Sequence, residues 1–119
     1  MAEVLRLERQ DGSPVCERCL LAETPLTRLK GLLGRRELPQ GEGLLLRPAS
    51  SIHMFFMRFP IDAVWLDREL RVVGLTHELQ PWRTASRRGA KAVLELPAGE
   101  AAAHGLQAGD RLVPVEPVK

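Results

Sequence analysis

The N-terminal part of the chain consists of two short runs rich in apolar residues, separated by the turn-forming stretch Asp11-Gly12-Ser13-Pro14. Short apolar runs bounded by turn residues are typical of strands, and Asp-Gly is a common turn between antiparallel strands. The pattern therefore predicts a β-hairpin formed by residues 3–8 and 15–22.

The hydrophobic period then lengthens to that of a helix. Thr24 can cap a helix, Pro25 suits the first helical position, and Gly34 can end it. The leucines that recur at helical spacing are Leu26, Leu29 and Leu33. We predict a short helix with one apolar face.

Short apolar runs separated by turn residues follow, and they predict further strands. These strands are residues 43–47, 52–59, 61–66, 70–75, 92–96 and 111–115, with one or two helical turns at residues 100–104. The link at residues 67–69 is too short for a crossover and favours antiparallel neighbours. The fold class is therefore mainly β, α+β in the loose sense. We expect a single domain over residues 1–119, a compact barrel or sandwich of short, mostly antiparallel strands with two short helices.

The predicted strand at residues 52–59 is apolar on both faces. Alternation places His53, Phe55, Met57 and Phe59 on one face and Ile52, Met54, Phe56 and Arg58 on the other. One face belongs to the core of a two-layer domain, and the other needs a cover. That cover is either the predicted leucine helix or a bound molecule or second subunit, since Met and Phe suit both packing and recognition.

Composition adds constraints on partners and location. The 119 residues include 17 Lys and Arg against 15 Asp and Glu, a net charge of +2 that gives no general attraction to nucleic acid or acidic lipid. The apolar runs fall short of the ~20 residues of a membrane helix, and the N-terminal residues lack a signal-peptide core. We expect a cytoplasmic protein that does not bind membranes.

Cys16 and Cys19 form a lone C-x-x-C motif. In an extended strand, residues three apart point to opposite faces and lie roughly 10 Å apart, beyond the ~7 Å limit for a disulfide. No second C-x-x-C completes a zinc site. We expect two reduced thiols that pack as small hydrophobic side chains.

Several kinds of chemistry lack their sequence motifs. The chain contains no G-x-x-x-x-G-K, G-x-G-x-x-G, G-x-S-x-G or H-E-x-x-H. His53, His77 and His104 are too far apart in sequence for a local metal motif. We predict no cofactor, no metal and no catalytic residue that the sequence alone identifies.

Residues 50–62 form the first candidate site. His53 is a candidate base or ligand, Arg58 a candidate anion-binding residue and Asp62 a candidate acid, whereas the structural alternative is a packed histidine beside an Arg58–Asp62 ion pair. Glu95 stands alone between two leucines of a predicted strand. If it faces inward it needs a cationic partner such as Arg58, and if it faces outward it is merely solvated.

Residues 81–91 form the second candidate site. Trp82 is followed by Arg83, Arg87, Arg88 and Lys91 without an acidic residue. Such a loop could stack a base on the indole and contact phosphates, but one aromatic ring falls short of a full platform. A solvated basic loop is the alternative, and nucleic-acid binding is expected to be weak at most.

Five segments in a fixed order carry a family resemblance. They are GLLGR at residues 31–35, GEGLLL at 41–46, FPIDAVWLD at 59–67, VLELPAG at 93–99, and Gly105-Leu106 with Gly109-Asp110. Together they resemble the uncharacterised-domain family 192 of bacteria and archaea, over nearly the whole chain. The resemblance implies a small, mainly β domain and no established activity, cofactor or catalytic residue. Where many relatives carry Trp-Met-Lys-Asn-Thr, this chain has HMFFM at residues 53–57, so a polar role of that segment does not transfer.

Three functional hypotheses remain. The first is a small, non-catalytic binding or protein-interaction module for an unknown small ligand or protein partner, with a homodimer as one form. The second is an enzyme using Asp62, Glu95 or His53 as acid or base, and the third is a weak nucleic-acid contact through the basic loop. The candidate binding residues are His53, Phe55, Met57, Arg58, Asp62, Trp82 and Glu95.

Overall fold

The N-terminal hairpin forms as the two apolar runs and the Asp-Gly turn predict. A computed structural model describes residues 4–115, and in it β1 (Val4–Arg9) pairs antiparallel with β2 (Pro14–Ala22). Residue 3, the first of the predicted strand, lies outside the described residues. The turn between the strands is held by Asp11, whose carboxylate accepts hydrogen bonds from the backbone N–H and the hydroxyl of Ser13.

Nine strands and two short helices make up the described part of the chain. The remaining elements are α1 (Pro25–Lys30), β3 (Glu42–Leu46), β4 (Ser51–His53), β5 (Ile61–Leu66), β6 (Val72–Leu79), β7 (Thr84–Ser86), β8 (Ala92–Pro97), α2 (Glu100–Ala103) and β9 (Leu112–Val115). The mainly β prediction is confirmed. Within residues 4–115, neither helix is long and apolar enough to cross a membrane.

Seven strands form one mixed sheet in the order β6-β5-β8-β3-β2-β1-β9. Only β2 and β3 run parallel, and the other neighbours in this sheet are antiparallel. The edge strands β6 and β9 approach each other at an isolated bridge between Arg71 and Arg111, so the sheet curls without closing into a barrel. Of the two predicted architectures, the sandwich-like one fits.

The central strands β3, β5 and β8 are buried on both faces. Leu45, Val64 and Leu94 contribute to a core inside the curled sheet. Leu44, Trp65 and Val93 contribute to a second core on the opposite face. Every residue of β5 is buried, which explains why the strand is apolar throughout apart from Asp62.

The prediction of one long strand at residues 52–59 is wrong. Strand β4 ends at His53, and a tight turn follows in which the Met57 N–H donates to the Met54 carbonyl at 3.2 Å. Phe56 adopts a φ of 65°, which reverses the chain. The turn directs Met54 and Met57 into the second core and leaves Phe55 and Phe56 exposed.

The prediction that the first helix covers this segment with an apolar face is also wrong. Thr24 and Thr27 form a capping box at the start of α1, as expected for this residue type. The helix stops at Gly31, before Leu33 is reached, and none of its residues is buried. Leu26 and Leu29 are 79% and 67% exposed, so α1 does not cover the strand as the sequence suggested.

A β-bulge overturns the expected placement of the cysteines. Leu5 is opposite Cys19 and Leu7 is opposite Cys16, so β2 holds one residue more than β1 over this stretch. The extra residue brings both side chains to the same core, where both thiols are free and buried. Contact with the Cys16 thiol and then burial raise the pKa of the Cys19 thiol.

Candidate functional site

Asp62 is a fully buried carboxylate that the backbone satisfies. Its Oδ1 accepts the Glu78 N–H at 2.8 Å, and its Oδ2 accepts the N–H groups of Gly99 and Ala101 at 2.9 and 3.0 Å. These bonds connect β5 to the end of β6 and to the first turn of α2. The Arg58–Asp62 ion pair considered from the sequence is absent from residues 4–115, because three N–H groups occupy the carboxylate instead.

Glu95 faces inward without the cation that the sequence led us to expect. It projects from β8 between its cross-strand neighbours Leu44 and Ala63 and is only 6% exposed. No salt bridge forms to Glu95 within residues 4–115, and Arg58 is not its partner. Burial, the one cause of the shift, raises the pKa of this carboxyl to about 7.

The side chain of Glu95 lines a cleft with a volume of about 550 Å³. Its apolar floor and walls come from Leu29, Leu32, Leu46, Ile52 and Ala90. Its polar lining, apart from Glu95, comes from Arg28, Ser50, Ser51, His53 and Lys91. The volume lies within the range of ordinary small-molecule sites.

Hydrogen bonds link the segments that surround the cleft. Arg28 of α1 donates from Nη1 to the Pro48 carbonyl at 2.9 Å, which links α1 to the loop after β3. The Ala49 N–H donates to the Lys91 carbonyl at 3.0 Å, which links the same loop to the start of β8. The cleft therefore lies between α1 and β4, which pairs with β7 in a small antiparallel ribbon.

Four rings gather at the far end of this ribbon. The Met54 N–H donates to the Arg83 carbonyl and the Trp82 N–H donates to the Met54 carbonyl, both at 2.7 Å. These bonds bring the turn at residues 54–57 against the loop at residues 80–83. We call the rings of His53, Phe55, Phe56 and Trp82 the aromatic cluster.

The rings of the aromatic cluster contact one another although they face solvent. His53 stacks on Phe55 with a centroid separation of 4.9 Å, and Phe56 packs on Trp82 at 4.8 Å. Phe55, Phe56 and Trp82 are 40%, 72% and 58% exposed. The Nδ1 atom of His53 accepts the Phe55 N–H at 3.3 Å, so His53 belongs both to this cluster and to the cleft wall.

The structure brings some of the predicted site residues together and separates others. His53, Phe55 and Trp82 come together in the aromatic cluster, and His53 with Glu95 lines the cleft. Met57 and Asp62 are buried and line neither the cleft nor the ring contacts, and Arg58 is exposed. Sequence reasoning missed Phe56 and Arg28, because the turn and the early end of α1 decide their positions.

The arrangement bears on the possible chemistries. An acid–base pair needs two ionisable groups in one cleft, and His53 and Glu95 meet that condition whereas Asp62 does not. Within residues 4–115, no group of three or more His, Cys, Asp or Glu side chains could hold a metal ion.

Comparisons with known proteins identify relatives without an assigned activity. Residues 7–114 match the family DUF192, described as "Uncharacterized ACR". A UPF0127 protein of Thermococcus kodakarensis is 36% identical over 84 residues, covering 66% of this chain and 53% of the relative. A UPF0127 protein of Thermococcus sibiricus is 33% identical over 98 residues, covering 78% of this chain and 63% of the relative. The matched part thus spans roughly half to three-fifths of these curated relatives.

Two solved structures share the fold. A protein of unknown function from Novosphingobium aromaticivorans superposes with a TM-score of 0.81 at 27% identity, covering 94% of this chain and 84% of that one. A putative transcription regulator from Sinorhizobium meliloti superposes with a TM-score of 0.83 at 25% identity, covering 96% and 94%.

Proposed function

This chain belongs to the DUF192 family, whose function is unknown, and we propose that it is a binding module that holds a small, amine-bearing molecule in the cleft above Glu95. The observation that carries the proposal is the carboxyl of Glu95, buried at the cleft without a salt bridge within residues 4–115. Its partner in the proposed complex is a protonated amine of the ligand.

The energetics of burial support an external partner. An ionised carboxylate that leaves water without a counter-charge is costly, and proteins normally pair it or keep it protonated. Val93, two residues earlier on the same face of β8, shows that an apolar side chain suits this layer. Packing alone therefore does not account for an acid at position 95.

The rest of the lining indicates the other end of the ligand. Arg28 and Lys91 provide cations at the solvent-exposed side of the cleft, and neither forms a salt bridge within residues 4–115. Leucine and isoleucine side chains make up much of the remaining lining. A short zwitterion, with an ammonium group at Glu95 and an anionic group near Arg28 or Lys91, matches this distribution of charge.

A second candidate function follows from the position of His53. Glu95 has a pKa near neutrality, and a histidine lines the same cleft, which is the minimum needed for general acid–base catalysis. The two candidates differ in outcome, since an enzyme would convert a bound molecule whereas a binding module would release it unchanged.

Location and assembly belong to the same proposal. A cytoplasmic location is supported by two free, buried thiols, because such thiols remain reduced in that compartment. A homodimer stays a prediction of the sequence.

The proposal can be tested with a minimal zwitterion. The probe is γ-aminobutyrate, and its controls are butyrate, which lacks the amine, and butylamine, which lacks the carboxylate. Amide NMR spectra of the full chain should shift at residues lining the cleft, and the affinity should be greatest for γ-aminobutyrate. Glu95→Gln should remove the advantage of γ-aminobutyrate over butyrate, while Glu69→Gln, which changes an exposed acid outside the cleft, should keep it.

Two results would overturn the proposal. One is the absence of shifts at the cleft with millimolar γ-aminobutyrate at pH 8, and the other is equal binding by the Glu95→Gln variant. Time courses of the same NMR samples distinguish the second candidate, because an enzyme would produce new ligand signals.

A further inference from the structure

The positive charge of this protein is concentrated in two segments. Residues 47–61 and 79–94 contain no Asp or Glu but six cations: Arg47, Arg58, Arg83, Arg87, Arg88 and Lys91. The rest of the chain carries eleven cations against fifteen acids, so it is net negative. A net charge of +2 therefore conceals a strongly basic region.

The fold joins these two segments into one lobe. The β4–β7 ribbon pairs residues 51–53 with residues 84–86, and the Met54 hydrogen bonds extend the pairing to Trp82 and Arg83. Of the six cations only Arg47 forms a salt bridge within residues 4–115, at 2.8 Å to Glu23. Arg87 lies over Gly74, where a Cβ would collide with its guanidinium, and donates to the Val73 carbonyl at 3.0 Å.

The aromatic cluster lies on this basic lobe. Phe56 and Trp82 contribute exposed rings to the cluster, and Arg58 and Arg83 are their near neighbours in sequence. Both aromatic residues have left-handed backbones, with φ of 65° and 71°, a conformation in which bulky side chains are disfavoured. An exposed ring on a residue with a disfavoured backbone conformation contributes little to the stability of the fold. This combination points to a role in recognition.

We propose that this surface binds single-stranded nucleic acid, with bases stacking on Phe56 and Trp82 and phosphates contacting Arg58, Arg83 and Arg88. Exposed aromatic faces beside a basic groove are how sequence-tolerant single-strand binders hold their ligands. The basic loop at residues 81–91 contributes one aromatic ring, that of Trp82. The turn at residues 54–57 adds the rings of Phe55 and Phe56, and His53 stacks on Phe55.

The composition of the surface favours nucleic acid over a lipid bilayer. Its cations are arginines with a single lysine, and the planar guanidinium both binds phosphate through two hydrogen bonds and stacks on rings. The rings are accompanied by exposed polar residues, including Gln80, Thr84 and Ser86, rather than by an aliphatic tip suited to insertion. The inference goes beyond the ligand proposed for the cleft and does not depend on Glu95.

The test is fluorescence anisotropy of a labelled thymidine dodecamer with the full chain at several salt concentrations. The plot of log affinity against log salt should have a slope of about −2, corresponding to three phosphate contacts on a single strand. The emission of exposed Trp82 should be quenched on binding, while that of Trp65, which is fully buried, should not change.

Variants separate stacking from charge. Phe56→Gly with Trp82→Gly removes both rings at positions where glycine is favoured, and it should weaken binding by roughly tenfold or more. Its control, Leu26→Ser with Val113→Ser, removes two exposed apolar side chains outside the β4–β7 ribbon and should bind normally. Arg58→Gln with Arg83→Gln should reduce the salt slope by about 1.4, whereas Arg36→Gln with Arg68→Gln should leave it unchanged.

The proposal is overturned by any of three results, each read on variants whose circular dichroism and Tm match the wild type. One is no binding of the dodecamer at low salt, and another is unchanged binding by the double-glycine variant. The third is binding of another class of partner. In that case Phe56 and Trp82 are needed for binding to phosphatidylserine-containing vesicles, or for self-association of the protein, and the dodecamer does not bind. Because Glu95→Gln should bind the dodecamer normally, failure here leaves the cleft proposal intact.

Discussion

The ring of Phe56 packs on the ring of Trp82 with a centroid separation of 4.8 Å, although the two side chains are 72% and 58% exposed. Each residue has a positive φ, and each lies in a turn that is hydrogen-bonded through Met54. The pair therefore fixes the geometry of the aromatic cluster from outside the core. It is a surface arrangement whose contribution to folding is expected to be small.

Phe56→Gly should change the free energy of unfolding by no more than about 1 kcal/mol. Relief of a left-handed conformation, about 1–2 kcal/mol, is offset by the entropy of glycine, about 0.5–1 kcal/mol, and by the loss of a partly exposed ring contact. Met54→Ala, in the same turn but buried, should cost about 2–5 kcal/mol. Urea titrations compare the two, and similar losses would mean that Phe56 is a core residue.

Asp62→Asn should destabilise the protein by about 3 kcal/mol, because both carboxylate oxygens accept backbone N–H groups and an amide nitrogen cannot replace either. Asp67→Asn is the matched control. At Asp67 a single oxygen accepts both backbone bonds, from Glu69 and Arg71, so an amide oxygen can take over and the loss should be below about 1 kcal/mol. Equal losses in urea unfolding would contradict the assignment of Asp62 as a structural residue.

The thiols of Cys16 and Cys19 should react very slowly with iodoacetamide at pH 8 in the native protein and rapidly in urea. Both are buried, and the pKa of the Cys19 thiol is raised, so little thiolate is available to react. Intact mass measured against time gives the rate. Fast native alkylation, or a native mass lower by two hydrogens, would show that the pair is reactive or bridged.

The free energy of unfolding should decrease as the pH rises from about 4.5 to about 7, because of Glu95. The pKa of its carboxyl is about 7 in the folded state against 4.5 without burial, so the folded protein binds more protons in that interval and loses stability as the pH rises. The loss amounts to about 3 kcal/mol and levels off above pH 7. Glu95→Gln should lack this decline in urea titrations, and parallel pH profiles for the two proteins would refute the shift.

Much of the sheet could be predicted because its strands are short apolar runs bounded by turn residues. Strands β1 and β2 flank an Asp-Gly turn, and β5 and β8 are almost entirely apolar. The prediction of a strand at residues 52–59 was wrong because Met54 and Met57 lie in a turn. Residues three apart in this turn face the same side, so both methionines are buried. Apolar composition does not distinguish that turn from a strand.

The candidate site was only partly visible in the sequence because it depends on pairing. The facing of Glu95 is set by the register of β8 against β3 and β5, and the approach of the cysteines by a bulge opposite β1. The early end of α1 at Gly31, where φ is 46°, leaves Arg28 at the cleft rather than on a longer helix. None of these features follows from local propensity.

Titration of the Glu95 carboxyl itself, followed by carbon-13 NMR with and without ligand, tests the proposed binding site most directly. We predict an apparent pKa of about 7 in the free protein, lowered by saturating γ-aminobutyrate, because an ammonium group beside the carboxylate favours its charged form, and unchanged by butyrate. A Glu95 pKa near 4.5 in the free protein, or one that γ-aminobutyrate leaves unmoved, would contradict the claim that this buried acid awaits a cationic ligand.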